Sequence, residues 1–287
     1  MNTDLRHLST LLRETAAAEI MPRWQETRAT RKADGSLVTE TDLATQRRIA
    51  AALARDFPGI PVLGEEMSKE EQADILRASE RAIWALDPVD GTSNYAGGFP
   101  FFAISLALIE GGEPVLGLVL DPVRDECFVA ARGQGAFLDE VAIRPSADAE
   151  RLADCLAMID LKRLPPSALP ALFRGGGFGS QRNLGAVALD WCWIASGRFQ
   201  LYLHGSQKLW DYAAGRLIAT EAGVASRLLG PGGVEVAAAL SLEPRLAIAA
   251  AHQGLLDAWI DFVGLPYTTE GQGEPSSPSS QPCQPTT

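Results

Sequence analysis

Apolar residues recur at three- and four-residue steps at Leu5, Leu8, Leu12, Ala16 and Ile20. That spacing predicts an amphipathic first helix ending near Arg28. A second helix is expected after Asp42, where Leu43, Ile49, Ala50 and Leu53 share a face. The compact apolar runs 60–63 and 82–86 read as strands, with a solvated helix over 69–80 between them. The first strand leads into Gly64-Glu65-Glu66. The second is expected to end at Asp87-Pro88, because proline cannot donate to a continuing ladder. Runs 103–109 and 115–120 flank Gly111-Gly112 and predict an antiparallel pair, which 127–130 and 135–138 continue as a meander.

A seam is expected near 144–151, dividing an N-terminal α+β part (1–146) from an α/β part (147–268). In the second part, strand 155–159 and a proline-containing link 164–170 precede helix 184–196, strand 199–203, helix 211–222, strand 246–250 and helix 255–263. The tail 269–287 is built from Pro, Ser, Gln and Gly. It lacks the apolar residues of a core and is expected to be disordered.

The 287 residues are 46% apolar and 21% charged, an ordinary globular composition. Basic and acidic residues give 25 − 36 = −11, a balance that repels nucleic-acid backbones and anionic lipid. Neither a nucleic acid nor a membrane is therefore expected as a partner. The same field repels a small phosphate ester unless bound cations reverse it locally. Cys127, Cys155, Cys192 and Cys283 form no Cys-x-x-Cys pair, and His7, His204 and His252 lie far apart, so zinc and iron–sulfur sites find no support. Scattered thiols fit a reducing cytoplasm. Charges at Asp4, Arg6, Arg13 and Glu14 leave no apolar signal core, and no secretory signal is expected.

Against this background three acidic segments stand out: Gly64-Glu65-Glu66, Asp87-Pro88-Val89-Asp90-Gly91-Thr92, and Trp210-Asp211. Each alone is an ordinary turn or wet surface, since Asp, Pro and Gly are turn formers. Two of them, however, follow apolar strands, where carboxylates point into a crevice at the sheet's carboxyl end. Converging carboxylates repel one another and raise their pKa values. A Mg²⁺ ion between them resolves the conflict, because it favours carboxylate oxygens, water and substrate phosphate. A helix beginning just after Asp90 would turn free N–H groups toward that phosphate, and Gly91 would let the anion approach closely.

Together with Lys32-Ala33-Asp34-Gly35-Ser36 and the stretch following it to Asp42, these segments resemble the inositol monophosphatase family of metal-dependent phosphatases. The likeness runs from about Leu5 to Val263. It implies a layered α/β fold, alternating helices and sheets in the fructose-bisphosphatase-like manner. It also implies a homodimer, two or three Mg²⁺ ions and sensitivity to Li⁺. By the same resemblance Glu65, Asp87 and the backbone oxygen of Val89 hold one metal, and Asp87, Asp90 and Asp211 a second. Glu65 also touches a third, weaker ion. Thr92, oriented by Asp42, is implied to help Glu65 position and deprotonate the attacking water.

The implied reaction is hydrolysis of a small phosphate monoester such as inositol-1-phosphate or a related sugar or polyol phosphate. Close alternatives are 3′-phosphoadenosine 5′-phosphate and histidinol phosphate, and a different one is a regulatory protein-interaction role. The substrate is expected against Asp90, Gly91, Thr92, Val187 and position 204. Inositol-acting relatives commonly place a glutamate seven residues before the last metal-binding Asp; here that residue is His204, with Lys208 nearby. The departure allows another alcohol or a second anionic group. Lys32 reads as an exposed lysine, or as electrostatic support for the site. Gly175-Gly176-Gly177-Phe178-Gly179-Ser180 lacks a following Gly-Lys-Ser/Thr and reads as a flexible loop, while Trp191 and Trp193 read as core or dimer-interface residues.

Overall fold

The computed structural model describes residues 3–25, 29–31, 37–78, 82–146, 148–230, 233–236 and 240–265. Lys32 and the tail 269–287 lie outside the described residues. Helix α1 (Thr3–Thr15) buries Leu5, Leu8 and Leu12, as its spacing requires. Instead of running on to Arg28 it passes through a π turn (Ala16–Ile20) into a short 3₁₀ turn (Met21–Arg23). Pro22 withdraws a donor there, and Trp24 is already extended. The ribbon β1 (Thr30–Arg31) and β2 (Leu37–Val38) precedes α2 (Glu40–Asp56). Thr39 caps α2, so the helix begins before Asp42 and holds that residue in its first turn.

Strand β3 (Val62–Gly64), helix α3 (Lys69–Ala78), strand β4 (Ala82–Asp90) and helix α4 (Thr92–Ala96) follow. Then comes the meander β5 (Ala103–Glu110), β6 (Glu113–Asp121), β7 (Glu126–Ala131), β8 (Ala136–Leu138) and β9 (Val141–Ala142). Strands β3 to β9 lie in sequence order in one seven-stranded sheet, with β3 parallel to β4 and the remaining pairs antiparallel.

The second sheet is built from β10 (Leu156–Asp160), β11 (Ser180–Arg182), β12 (Leu201–Gln207), β13 (Ala225–Leu229) and β14 (Arg245–Ala250), in the order β11-β10-β12-β14-β13. Its helices are α5 (Leu169–Leu172), α6 (Val187–Ala195), α7 (Leu209–Ala222) and α8 (Gln253–Val263). Helix α6 starts three residues later than the apolar pattern suggests. Strand β12 runs past Leu203 to Gln207, and β13 has no counterpart among the sequence-based elements. The glycine run 175–180 leads into β11, with Phe178 edge-on to Trp259.

Strand alternation sorts the layers. Trp84, Leu86, Ile104 and Leu106 pack with Leu8, Leu12, Ile49 and Leu53 of α1 and α2. Ile83, Ala85, Ala107 and Ile109, on the opposite face, pack with Trp191, Ile194, Tyr212 and Ile218 of α6 and α7, which also reach Tyr202 and Ala249 of the smaller sheet. The outer face of that sheet closes on Leu256 and Trp259 of α8. The result is the alternating helix and sheet stack of a layered α/β fold. Helix α6 is apolar nearly all round because it is sandwiched between two sheets. Trp191 is a core residue, its indole N–H donating to Gln207 Oε1 at 3.0 Å. Trp193 is half-buried beneath the Arg124 and Arg198 guanidiniums.

At the sheet–helix contact Gly117 is essential. A Cβ there would lie 2.8 Å from the Ala214 carbonyl oxygen and 3.1 Å from its Cα. We expect Gly117→Ala to lower unfolding stability by about 1–3 kcal/mol through overpacking, read from a urea midpoint shift at unchanged m value.

Candidate active site

Parallel pairing of β3 with β4 places Glu65 and Asp87 side by side at the carboxyl ends of two strands, and Glu65 N–H donates to Leu86 O at 3.1 Å. Asp90 is three residues beyond Asp87, a spacing that sends side chains to opposite faces of a regular strand. The sequence-based end of this strand at Asp87-Pro88 is overturned: β4 continues through Pro88 to Asp90. It does so with a register shift, Asp87 opposite Ser105 and Asp90 opposite Ala103. The irregularity accommodates the missing proline donor and reverses the alternation. Val89 therefore joins the α1–α2 core, and Asp90 turns to the same side as Asp87.

Helix N-termini converge on these acids. Asp90 Oδ2 accepts from Ala188 N–H in the first turn of α6, at 2.7 Å. Asp211 Oδ2 accepts from Lys208 N–H at the start of α7, at 2.9 Å. Asp42 Oδ2 accepts from Thr39 N–H at the start of α2, also at 2.9 Å. Helix dipoles and unpaired N–H groups favour negative charge at all three places. Gly91 adopts φ 89°, and a Cβ on it would lie 3.1 Å from Phe101 O and 3.2 Å from Ala186 Cβ, so glycine is required on both counts. Thr92 Oγ1 lies 3.2 Å from Asp42 Oδ1 and 3.1 Å from Val89 O, its hydroxyl facing both acceptors. Asn94 Nδ2 clamps the neighbouring loops by donating to Phe101 O at 2.6 Å and Leu184 O at 2.7 Å.

The cleft so formed has a volume of about 760 Å³ and is lined by Glu65, Asp87, Val89, Asp90, Gly91, Thr92, Val187, His204 and Asp211, among others. Asp42 stands behind it, buried, in contact through Thr92. Burial pushes the Asp87 carboxyl well above its usual range, and Glu65, Asp90 and Asp211 add repulsion. Burial, then Asp211, does the same to Asp90. Asp211 is pushed up to about 7 by burial and by Glu65. Burial also raises Asp42, against the hydrogen bonds from Thr39.

Such a set crowds negative charge, and its donors are all oxygen, the chemistry suited to a hard divalent cation. In their present rotamers no three His, Cys, Asp or Glu side chains among the described residues close around a common ion position. The donor set fits Mg²⁺; the closed cage requires the carboxylates to turn inward.

Across the cleft, Asp160 at the end of β10 is the register partner of His204 in the middle of β12. His204 Nδ1 accepts from Ser206 N–H at 3.3 Å, and Nε2 lies 3.5 Å from Asp160 Oδ2. Burial holds its pKa down to about 4, against the pull of Asp160, so the ring is neutral near pH 7. His252 is not a site residue: its Nδ1 caps α8 by accepting from Leu255 N–H.

The sequence reading missed several residues of the opposite wall. Lys162 and Arg163 directly follow β10, and Asn183 follows β11. The charged residues Asp160, Lys162 and Arg163 at a strand's end were the available signal. Asp190 was missed as well. It is 3% exposed, its Oδ1 has no hydrogen-bond partner, and burial followed by Asp90 and Asp160 raises its pKa well above the usual range. A lone Asp in an apolar helical run gave no warning of this.

The inositol monophosphatase family model matches residues 2–260. The chain belongs to the inositol monophosphatase family. It is accordingly a phosphomonoester hydrolase with the layered fold of that family. Inositol monophosphatase 1 of Solanum lycopersicum is 36% identical over 201 residues, 67% of this chain and 72% of that protein. The Nus factor SuhB of Xylella fastidiosa is 36% identical over 191 residues, 64% of this chain and 66% of that one. Among solved structures, the IMPase of Thermotoga maritima superposes with TM-score 0.77 at 28% identity, covering 92% of this chain and 97% of that one. No helix among the described residues is long and apolar enough to cross a membrane.

Proposed function

We propose that this inositol monophosphatase family member hydrolyses a small sugar or polyol phosphate, inositol-1-phosphate or a relative, with Mg²⁺. The observation that carries this reading is the gathering of Asp87, Asp90 and Asp211 in one cleft, buried and mutually repelling, beside Glu65. Glu65, Asp87, Asp90, Asp211 and the Val89 carbonyl would hold two or three ions. Bound there, Mg²⁺ supplies Lewis acidity toward water and the phosphoryl oxygens.

The chain's own residues then divide the work. The Thr92 and Ser93 N–H groups at the start of α4, next to Gly91, would receive the phosphate, while Asn94 N–H closes on Gly91 O. Thr92 Oγ1 donates to Asp42, so it can accept a hydrogen bond from the attacking water and, as it takes that proton, pass its own to the Asp42 carboxylate. Glu65 completes this general-base group. Val187 and neutral His204 border the alcohol, and the ring presents no positive charge to it.

A panel of phosphate esters with Mg²⁺, against an EDTA control, tests the reading: kcat/KM must favour one polyol or sugar ester and vanish without the metal. A nucleotide or histidinol ester winning the panel by a wide margin replaces the substrate assignment and leaves the chemistry in place. Thr92→Ala is expected to lower kcat about 10²-fold with KM little changed, the size of a lost proton-transfer partner. Steady-state kinetics on the preferred ester checks it; an unchanged kcat removes Thr92 from the mechanism. Li⁺ competing with Mg²⁺, a homodimer and a reducing cytoplasmic setting complete the proposal, the last supported by free buried Cys127, Cys155 and Cys192.

A protein-binding role beside catalysis is favoured by the likeness to the Nus factor SuhB. An Asp87→Asn chain that loses hydrolysis yet restores the phenotype of a deletion strain would support it.

A further inference from the structure

The wall facing the acidic cluster carries the opposite charge. Lys162 and Arg163 sit on a 3₁₀ turn (Leu161–Arg163) directly after β10, and Lys208 lies at the start of α7. All three line the same cleft as Asp87 and Asp90. Two carboxylates adjoin them: Asp160 accepts from Lys162 N–H at 3.0 Å and lies 3.5 Å from Arg163 Nε and from His204 Nε2, and Asp211 accepts from Lys208 N–H at 2.9 Å. Among the described residues neither the Lys162 nor the Lys208 ammonium has a carboxylate partner.

The turn is firmly seated, because a Cβ on Gly205 of β12 would run into the Arg163 carbonyl. Lys208 Nζ lies 5.3 Å from the Trp210 ring centroid, which holds it at the cleft. In a chain of net charge −11, three cations gathered on one wall of a substrate cleft are a local concentration of positive charge.

We propose that the substrate carries a second anionic group, phosphate or carboxylate, which binds against Lys162, Arg163 and Lys208 while the scissile phosphate faces the acidic cluster. The inference rests on the phosphatase reading and narrows its substrate class to doubly anionic esters. Charge-assisted hydrogen bonds from fork and ammonium donors provide the recognition.

The test is a series of α,ω-diol bisphosphates of two to six carbons, each compared with its ω-hydroxyalkyl monophosphate and with an ω-carboxyalkyl phosphate, all with Mg²⁺. At a matching chain length an anionic second group is expected to raise kcat/KM about tenfold or more, ~1.4 kcal/mol. Comparison of the two anionic arms tells phosphate from carboxylate. The K162Q/R163Q double variant should bring the preference within about threefold, and K208Q should lower it partway. Both turn residues are exposed, and a wild-type melting temperature confirms an intact fold. Ordinary turnover of monophosphates with no anionic preference at any length overturns the inference, as does a preference that survives the double variant. Failure to turn over any ester overturns the phosphatase reading and this inference with it.

Discussion

Asp87→Asn is expected to lower kcat with Mg²⁺ about 10³-fold or more while making the metal-stripped protein more stable at pH 8. The two effects have one cause. Asp87 is buried among Glu65, Asp90 and Asp211, so at pH 8 its carboxyl must either keep a proton against the solvent or ionise among like charges. Asparagine has the same shape, keeps an oxygen to accept the Val89 N–H that Asp87 Oδ1 accepts at 3.1 Å, and carries no charge. Relief on the order of 1–2 kcal/mol raises the melting temperature in EDTA by about 2–8 °C for a chain of this size. The same neutral group is a poor ligand for a hard cation. Losing charge stabilisation in the transition state on the order of 4 kcal/mol corresponds to the expected rate loss. Kinetics with Mg²⁺ and thermal melts in EDTA on one preparation check both halves. Full turnover, or a lower melting temperature in EDTA, removes Asp87 from the metal site.

Mg²⁺ is expected to raise the melting temperature by about 5–10 °C at pH 8 and by less than half of that at pH 5.5. Asp211 titrates near 7 in the folded metal-free chain against 3.8 for an ordinary Asp, and Asp87 and Asp90 are raised as well. Between about pH 4 and 7 the folded state therefore binds more protons than the unfolded state. The stability associated with these groups is full below pH 4 and is lost as pH rises through 7. Mg²⁺ needs the ionised carboxylates, so protons compete with it, and each proton displaced weakens binding about tenfold per pH unit below 7. At a concentration about a hundred times Kd, binding contributes about 2.7 kcal/mol, which sets the shift expected at pH 8. Melts in matched buffers with Mg²⁺ or EDTA decide it. An equal shift at both pH values shows that these carboxylates do not bind the ion, and hydrolysis that continues in EDTA leads to the same conclusion.

Most elements were legible because their cause is local. Leu5, Leu8 and Leu12 define a helical face whatever they pack against, and Ala103 to Ile109 can hardly be other than strand. The errors lie where a distant contact outweighs a local preference. Pro88 is a sound reason to end a strand, yet pairing with β5 continues past it because the ladder shifts by one residue there. Strand β13 was missed because its polar positions follow no strict alternation, and its pairing with β14 supplies what the pattern lacks. Helix α6 begins at Val187 rather than near Leu184, where Gly185 takes φ 80° against the Asn94 amide.

By itself the sequence determined which groups are available for chemistry: carboxylates after two strands, a threonine beyond the second, a Trp-Asp pair far downstream, and the family to which that set belongs. Those are covalent facts and survive any error in element boundaries. Only the tertiary structure decided where these groups point. The shift at Pro88 brings Asp90 round to the side of Asp87, and Ala188, 98 residues away, donates the N–H that holds it there. Burial makes His204 neutral, and the second sheet and its connections set the cations Lys162, Arg163 and Lys208 opposite the acids. Side-chain direction and solvation depend on neighbours brought together by folding, and no local pattern encodes them.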